Sequence, residues 1–173
     1  VVDSSNLERN LYLTMQLMEF GKPMVLAMNM SDIAEERGDS IDLDAIRRFL
    51  GTPAIRTVAS EGRGLEELLD AVVEVASGPV ADRRVGYGEL EPMIAEIRGI
   101  IETDGDISAR FSPRWMATRL IENDSYVAGL LSGRPLWNEI GRYLSTMDRE
   151  EGEMDLADNR YAVIDEVVAL SCR

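Results

Sequence analysis

Helices and strands alternate along the first half of this 173-residue chain, and this pattern restricts its fold more than any other feature. Residues 24–28 form an apolar run that is typical of a buried strand. A helix is predicted before this run, capped by Ser5 or Asn6. Gly21 and Pro23 end that helix. Because strand and helix alternate, we expect a parallel sheet with flanking helices.

The alternation continues beyond the first predicted strand. Asp42 is predicted to cap a short helix that ends at Gly51, and residues 54–58 form the next predicted strand. Gly62 and Gly64 allow a tight loop after it. The apolar residues that follow repeat at helical spacing: Leu65, Leu68, Leu69, Val72 and Val73. We therefore expect an amphipathic helix after the last strand.

A Ser-Gly-Pro segment at residues 77–79 interrupts this pattern and marks the predicted domain boundary. It divides the chain into residues 1–79 and 80–173, and the second part carries apolar residues at helical spacing throughout. We expect an all-α domain there, in which the Trp and Tyr side chains mainly pack in the core.

Several helix starts are predicted in this second part. Ser112 and Pro113 are the predicted N-cap and first residue of one helix, and Asp124 caps the next. Asp155 is predicted to begin the last helix.

The chain is strongly acidic, with 18 Lys and Arg against 32 Asp and Glu and a formal net charge of -14. This charge repels nucleic acid and anionic lipid surfaces, so neither is an expected partner. An acidic surface attracts cations, but a solvated acidic face is the ordinary result of such a composition. The chain has no His, and Cys172 is its single Cys, which excludes a His/Cys site for zinc or iron. Only all-carboxylate sites remain conceivable, and we assign no metal ligand.

No apolar stretch approaches the ~20 residues needed to cross a bilayer, and no basic-then-apolar leader opens the chain. A single cysteine cannot form an internal disulfide, so nothing indicates an oxidising compartment. We therefore expect a soluble chain in the cytoplasm.

Two polar residues directly follow the first predicted strand. Asn29 and Asp32 lie just past its end, where open α/β sheets bind ligands. The Asp32 carboxylate can accept hydrogen bonds from the N1–H and exocyclic amine of guanine, while Asn29 braces the loop and offers its own amide. Adenine has an acceptor at N1 and no 2-amino group, so it would leave the carboxylate unpaired at a cost of several kcal/mol. The spacing therefore predicts guanine recognition.

Three blocks of the first half resemble the guanine-nucleotide domain of the bacterial ferrous-iron transporter B (FeoB) family. They are residues 1–13 (VVDSSNLERNLYL), residues 29–32 (NMSD) and residues 58–66 (VASEGRGLE). The resemblance implies that Asn29, Met30 and Asp32 form the guanine-specificity motif, which in this family carries Met where most small GTPases have Lys. It also implies that Ala59 and Ser60 belong to the last guanine-contacting loop, although most GTPases have a Ser-Ala-Lys type sequence there.

The second half resembles the helical domain that follows the nucleotide domain in the same family. The matching blocks are residues 87–88, 112–115, 120–124 and 159–164. The resemblance implies part of a P-loop GTPase-like parallel sheet, followed by a helical domain like a GDP-dissociation inhibitor. It implies that this domain links nucleotide state to the membrane-spanning part of the same polypeptide, at the cytoplasmic face of the bacterial inner membrane. A homo-oligomer is compatible with the sequence.

The chain lacks the phosphate loop that a competent GTPase needs. It contains no G-x-x-x-x-G-K-[ST] motif, and no Asp-x-x-Gly precedes Asp3. We therefore expect a fragment of a longer protein, in which residues outside this chain bind magnesium and, in some family members, potassium. We assign no catalytic residue and expect no hydrolysis of GTP by this chain alone. Asp3 is expected to cap or brace a loop.

Our hypothesis from the sequence is a fragment of the guanine-nucleotide-binding regulatory region of a ferrous iron transporter. A GTPase of ribosome assembly or RNA modification would share the Asn-x-x-Asp motif, but it should carry a basic patch, which this sequence lacks. The other alternative is a non-enzymatic helical protein-interaction module that carries an inactive GTPase remnant.

Overall fold

The computed structural model of the chain describes residues 1–78 and 85–172. These residues divide into two compact units, drawn from Val1–Arg84 with Tyr161–Arg173 and from Val85–Arg160, and named here the first and the second unit. The predicted boundary at residues 79 and 80 lies outside the described residues, so the division at that point stays a prediction. The end of the chain packs in the first unit.

A parallel sheet forms the centre of the first unit, with three strands among the described residues in the order β1-β2-β3. The strands are β1 (Val2–Asp3), β2 (Leu26–Asn29) and β3 (Ala54–Arg56). Helices α1 (Leu7–Met18), α2 (Ser31–Glu36), α3 (Leu43–Leu50) and α4 (Leu65–Ser77) alternate with them. The expected parallel α/β arrangement is confirmed.

The caps of α3 agree with the sequence. The Asp42 carboxylate accepts a hydrogen bond from the backbone N–H of Ala45 at 3.0 Å. Gly51 ends the helix with φ of 65°, a left-handed conformation that costs glycine little.

Helix α1 begins directly after Asn6, which is its N-cap residue by position, as predicted. The Asn6 side chain makes no capping hydrogen bond, and a 3-10 turn, Ser4–Asn6, precedes the helix. The Asp3 carboxylate caps that turn, accepting hydrogen bonds from the backbone N–H and the hydroxyl of Ser5 at 2.9 and 2.8 Å. Asp3 thus braces a loop, as predicted.

The described part of the second unit is helical, as expected. Its helices are α5 (Glu91–Glu102), α6 (Gly105–Arg110), α7 (Pro113–Ile121), α8 (Ser125–Leu131) and α9 (Trp137–Leu144), and α10 (Arg149–Ser171) continues from this unit into the first. Ser112 caps α7 and Asp124 caps α8, as predicted.

The predicted start of the last helix at Asp155 is wrong, since α10 begins at Arg149. The Asp148 carboxylate accepts hydrogen bonds from the backbone N–H groups of Glu150 and Glu151 at 2.9 and 3.3 Å, and so supplies the cap nearly two turns earlier. Over the described residues, no helix combines the length and the apolar composition needed to span a membrane.

The core of the first unit lies between its helices and the sheet. Leu11, Met15, Met28 and Ile46 are fully buried. Burial of each such side chain contributes ~1.5–3 kcal/mol to folding. These residues come from α1, β2 and α3, which together hold the sheet in place.

Helix α4 contributes little to this core. Ala71 is its buried residue, whereas Leu69 and Val73 are 64% and 67% exposed. Four apolar side chains at helical spacing lie open on its surface: Leu65, Leu69, Val72 and Val73, named here the α4 stripe. The amphipathic pattern is thus present, but its apolar face is uncovered among the described residues.

Gly64, just before α4, is the glycine that the fold needs most. Gly62 and Gly64 have nearly equal left-handed φ angles of 72° and 76°. A Cβ added at Gly64 would lie 2.0 Å from the Arg56 carbonyl oxygen. A Cβ added at Gly62 would meet no atom within 4 Å. We expect Gly62→Ala to lower the free energy of unfolding by ~1–2 kcal/mol, the backbone cost alone. Gly64→Ala should cost a further ~1–3 kcal/mol from steric overlap.

Urea unfolding followed by circular dichroism measures both variants. Equal losses for the two alanines would contradict the close approach at Gly64.

Candidate functional site

The candidate site lies at the edge of the sheet where the parallel strands end. Asn29, the last residue of β2, pairs in register with Asp3 at the end of β1. On its other side, the backbone N–H of Thr57 donates to the Met28 carbonyl at 2.9 Å, which extends the pairing with β3 by one step. The loops after all three strands therefore begin at one edge, the usual ligand-binding edge of an open parallel sheet.

The Asn29 side chain joins two of these loops. Its Oδ1 accepts hydrogen bonds from the backbone N–H of Ala59 at 3.0 Å and from the Thr57 hydroxyl at 3.4 Å. The bracing role predicted for Asn29 is therefore present, and it spans 30 positions of sequence. With Oδ1 engaged, the amide NH₂ is the group of Asn29 that can donate to a ligand.

Met30 turns the chain sharply after the strand. Its backbone is left-handed, with φ of 57° and ψ of 32°, which costs a residue other than glycine ~1–2 kcal/mol. The Ser31 hydroxyl holds the turn by donating to the Thr57 carbonyl at 3.2 Å. Sequence reasoning assigned no role to Ser31 or Thr57, although a hydroxyl residue beside a strand end is a signal for such a brace.

The turn places Asp32 in the first turn of α2 rather than in an irregular loop. Its side chain is half-buried, and within residues 1–78 and 85–172 it makes no hydrogen bond or ion pair with the protein. Partial burial removes hydrating water from a carboxylate, so hydrogen-bond donors of the protein or of a ligand have to replace it. Asp32 can accept two hydrogen bonds from one flat ligand edge.

Ala59 and Ser60 lie in the loop after β3. They begin a 3-10 turn, Ala59–Glu61, and both are exposed. The loop is closed at its base, where the backbone N–H of Val58 donates to the Arg63 carbonyl at 3.1 Å. The backbone N–H of Ala59 is already donated to Asn29, so the ligand contacts of Ala59 and Ser60 stay a prediction.

Cations near the site have surface partners. Arg63 pairs with Glu61 at 2.7 Å, and both side chains are exposed. In the described part of the chain, no group of three or more His, Cys, Asp or Glu side chains could hold a metal ion.

Family models match both parts of the chain. Residues 1–72 match the model of ferrous iron transport protein B, and residues 87–173 match that of the FeoB cytosolic helical domain. The Fe(2+) transporter FeoB of Escherichia coli K12 is 36% identical over 95% of this chain. A fusion protein of Fe(2+) transport protein A and FeoB from Porphyromonas gingivalis is 33% identical over 95%. The chain spans 21% of the length of each of these relatives.

Solved structures of the same kind match the whole chain. A mutant of S. thermophilus NFeoB bound to GDP has a TM-score of 0.86 and 30% identity, with 100% of this chain and 67% of that chain covered. The cytosolic domain of T. maritima FeoB in its GMPPNP form has a TM-score of 0.82 and 27% identity, with the same coverage. Both comparisons confirm the resemblance inferred from the sequence blocks, and they agree with the observed sheet and helical unit. The chain belongs to the FeoB family of ferrous iron transport proteins.

Proposed function

We propose that this chain is part of the cytosolic guanine-nucleotide-binding region of a bacterial ferrous iron transporter, in which it binds GTP and GDP. The observation that carries this proposal is the half-buried Asp32 carboxylate, which has no protein partner among the described residues. It lies three residues after Asn29, whose brace to Ala59 fixes the neighbouring loop. The nucleotide bound to the S. thermophilus relative supports the same assignment.

The base would meet the site through its hydrogen-bonding edge. The Asp32 carboxylate would accept from N1–H and the 2-amino group of guanine, and the Asn29 amide NH₂ would donate to the purine. Met30, 42% exposed, would contact the face of the ring. Ala59 and Ser60 would shape the loop beside the base. Adenine would be rejected because it leaves the carboxylate unpaired.

Phosphate binding and hydrolysis would depend on residues outside this chain. No phosphate-loop motif is present in the sequence, so Mg²⁺ and K⁺ would be bound elsewhere in the longer polypeptide. The coupling of nucleotide state to Fe²⁺ uptake would likewise need the membrane-spanning part of that polypeptide, with this region at the cytoplasmic face of the inner membrane. We expect this chain alone not to hydrolyse GTP.

The exposed α4 stripe supports the inference that the intact nucleotide domain is larger than this chain. Four exposed apolar side chains on one helix face are typical of a surface that another element covers. The chain covers 67% of the S. thermophilus structure, so that protein has a further third with no counterpart here. We infer that the corresponding part of the longer polypeptide covers the α4 stripe.

Base specificity gives the sharpest test. In a longer polypeptide that includes the phosphate loop, Asp32→Ala should abolish the preference for GDP over ADP, which we expect to be ~10³-fold or more in the parent. Asp32→Asn should favour xanthosine diphosphate, because the new amide can donate to the xanthine O2. Asp39→Asn removes the same charge from an exposed position nearby and should leave the preference unchanged.

Isothermal calorimetry with GDP, ADP and xanthosine diphosphate reports all three variants. An unchanged preference for GDP in Asp32→Ala would refute the assignment of Asp32 to guanine recognition. If the longer polypeptide without substitutions bound no nucleotide, the alternative of a non-enzymatic protein-interaction module would be favoured.

The brace formed by Asn29 gives a second prediction. In the same longer polypeptide, Asn29→Ala should lower GDP affinity ~10- to 100-fold, because it frees the loop at Ala59 and removes one donor to the base. The matched control is Asn10→Ala, which removes an amide that donates to the carbonyl of Asn6, just before α1. Equal affinities for these two variants would show that the brace has no part in binding.

The α4 stripe gives a third prediction. Leu69→Ser should change the free energy of unfolding of the present chain by ~0.5 kcal/mol or less, because the side chain is exposed. In the longer polypeptide the same change should cost ~2 kcal/mol or more, because the side chain is then buried. Urea unfolding of both polypeptides measures the difference, and equal small effects would mean that the stripe stays open.

A further inference from the structure

Thr57 is bonded on three sides at the sheet edge where the candidate site lies. It directly follows β3 and is buried, with 3% of its surface exposed. Its N–H donates to the Met28 carbonyl at 2.9 Å, and its hydroxyl donates to the Asn29 Oδ1 at 3.4 Å. Its carbonyl accepts from the Ser31 hydroxyl at 3.2 Å. Thr57 therefore contacts the end of β2, the first residue of the Asn-x-x-Asp motif and the start of α2.

Helix α2 is too short to fix its own orientation. It has six residues, whereas isolated helices shorter than ~12 residues are marginal in water. Contacts at its two ends therefore set where it lies. The Ser31 hydroxyl bonds the first end to Thr57, and the Arg37 Nη1, just after the last residue, donates to the Ser5 carbonyl at 3.2 Å. The helix is thus held to the loops that follow β3 and β1.

The turn that leads into α2 is the part that most needs an anchor. Met30 has a left-handed backbone, which is unfavourable for a residue with a Cβ. The Ala34 N–H donates to the Met30 carbonyl at 3.2 Å and closes the first turn of the helix. The Ser31 N–H lies 3.5 Å from the Thr57 carbonyl, so the hydroxyl makes the shorter of the two contacts between Ser31 and this carbonyl. Loss of the hydroxyl would let the turn relax.

We propose that Ser31 is a positioning residue that holds the Asp32 carboxylate in the plane of the guanine base. This inference rests on the proposed function. Asp32 directly follows Ser31, so any relaxation of the turn displaces its carboxylate. Two hydrogen bonds to one flat edge require both carboxylate oxygens to lie near the base plane, and a tilted carboxylate keeps one bond and weakens the other. Ser31 acts through Asp32, and Thr57 supplies the fixed carbonyl.

Inosine diphosphate tests this geometry, because its base keeps the N1–H of guanine and lacks the 2-amino group. In the longer polypeptide that includes the phosphate loop, GDP should bind ~10-fold or more tightly than inosine diphosphate, since one charge-assisted hydrogen bond is lost. Ser31→Ala should lower this ratio ~5-fold or more, because a tilted carboxylate gains less from the 2-amino group. Ser31→Thr keeps the hydroxyl and should hold the ratio within a factor of ~2.

Ser108→Ala is the matched control. The Ser108 side chain is also half-buried, and its hydroxyl also donates to a backbone carbonyl outside its own helix, that of Ile101 at 3.0 Å. A loss of stability alone would weaken both nucleotides equally, so this variant should leave the ratio unchanged. If Ser31→Ala lost its folded circular dichroism, the pair Ser31→Thr and Ser31→Val would replace it, because these side chains have the same shape and differ in the hydroxyl.

A double variant tests whether Ser31 acts through Asp32. Once Asp32 is replaced by alanine, the further change Ser31→Ala should leave the ratio unchanged, because the group that it positions is absent. A further fall in the ratio would overturn the positioning role, since Ser31 would then act on the base itself.

Hydrogen exchange of the present chain examines the turn without any nucleotide. Ser31→Ala should raise exchange of the Ala34 amide ~10-fold, because the turn that this amide closes has lost its anchor. Ser108→Ala should leave that amide within a factor of ~2. An unchanged Ala34 amide in Ser31→Ala would overturn the anchor.

The outcomes separate the positioning role from the proposed function. If Asp32→Ala lowered the ratio and Ser31→Ala did not, the positioning role would be overturned and guanine recognition by Asp32 would stand. If the longer polypeptide without substitutions bound both nucleotides equally, both proposals would be overturned.

Discussion

The pairing of β2 with its two neighbours is the constraint on which the rest of the first unit depends. Parallel register brings Asp3, Asn29 and Thr57 to one edge of the sheet, although they are far apart in sequence. Only with this register can Asn29 reach the backbone of Ala59 and the Ser31 turn close on Thr57. The guanine recognition that we propose for Asp32 therefore depends on backbone hydrogen bonds that Asp32 does not make itself.

Features with local causes were predictable from the sequence. The Asp42 cap, the Gly51 stop and the Ser112-Pro113 start each depend on groups within about four residues of one another, so the sequence contains the whole interaction. The apolar run at residues 24–28 likewise predicted the strand that ends at Asn29. A bracing role for Asn29 was predicted too, but its partner Ala59, 30 positions away, was not. The start of α10 was misplaced because two acidic residues, Asp148 and Asp155, are both suitable caps, and the helix already begins at the first of them.

Features that depend on distant partners were not predictable in this way. The left-handed backbone of Met30 is maintained by the Ser31–Thr57 contact, across 26 positions of sequence. Apolar periodicity showed that α4 has an apolar face, but it contains no information about which element covers that face. The hydrogen bond from Arg160 to the Tyr87 hydroxyl spans 73 positions of sequence. The blocks that contain these two residues were recognisable as motifs, but the contact between them was not.

Arg160 is fully buried in a chain of net charge -14, and its partners fix its position in the second unit. Acidic partners are abundant, so a cation is easily paired, but removing one partner of a buried pair costs ~3–5 kcal/mol because the other charge stays desolvated. A leucine could fill such a space and pack well, yet it would accept many orientations. The arginine must satisfy Tyr87 and Glu122 together, which fixes the rotation of α10 about its axis.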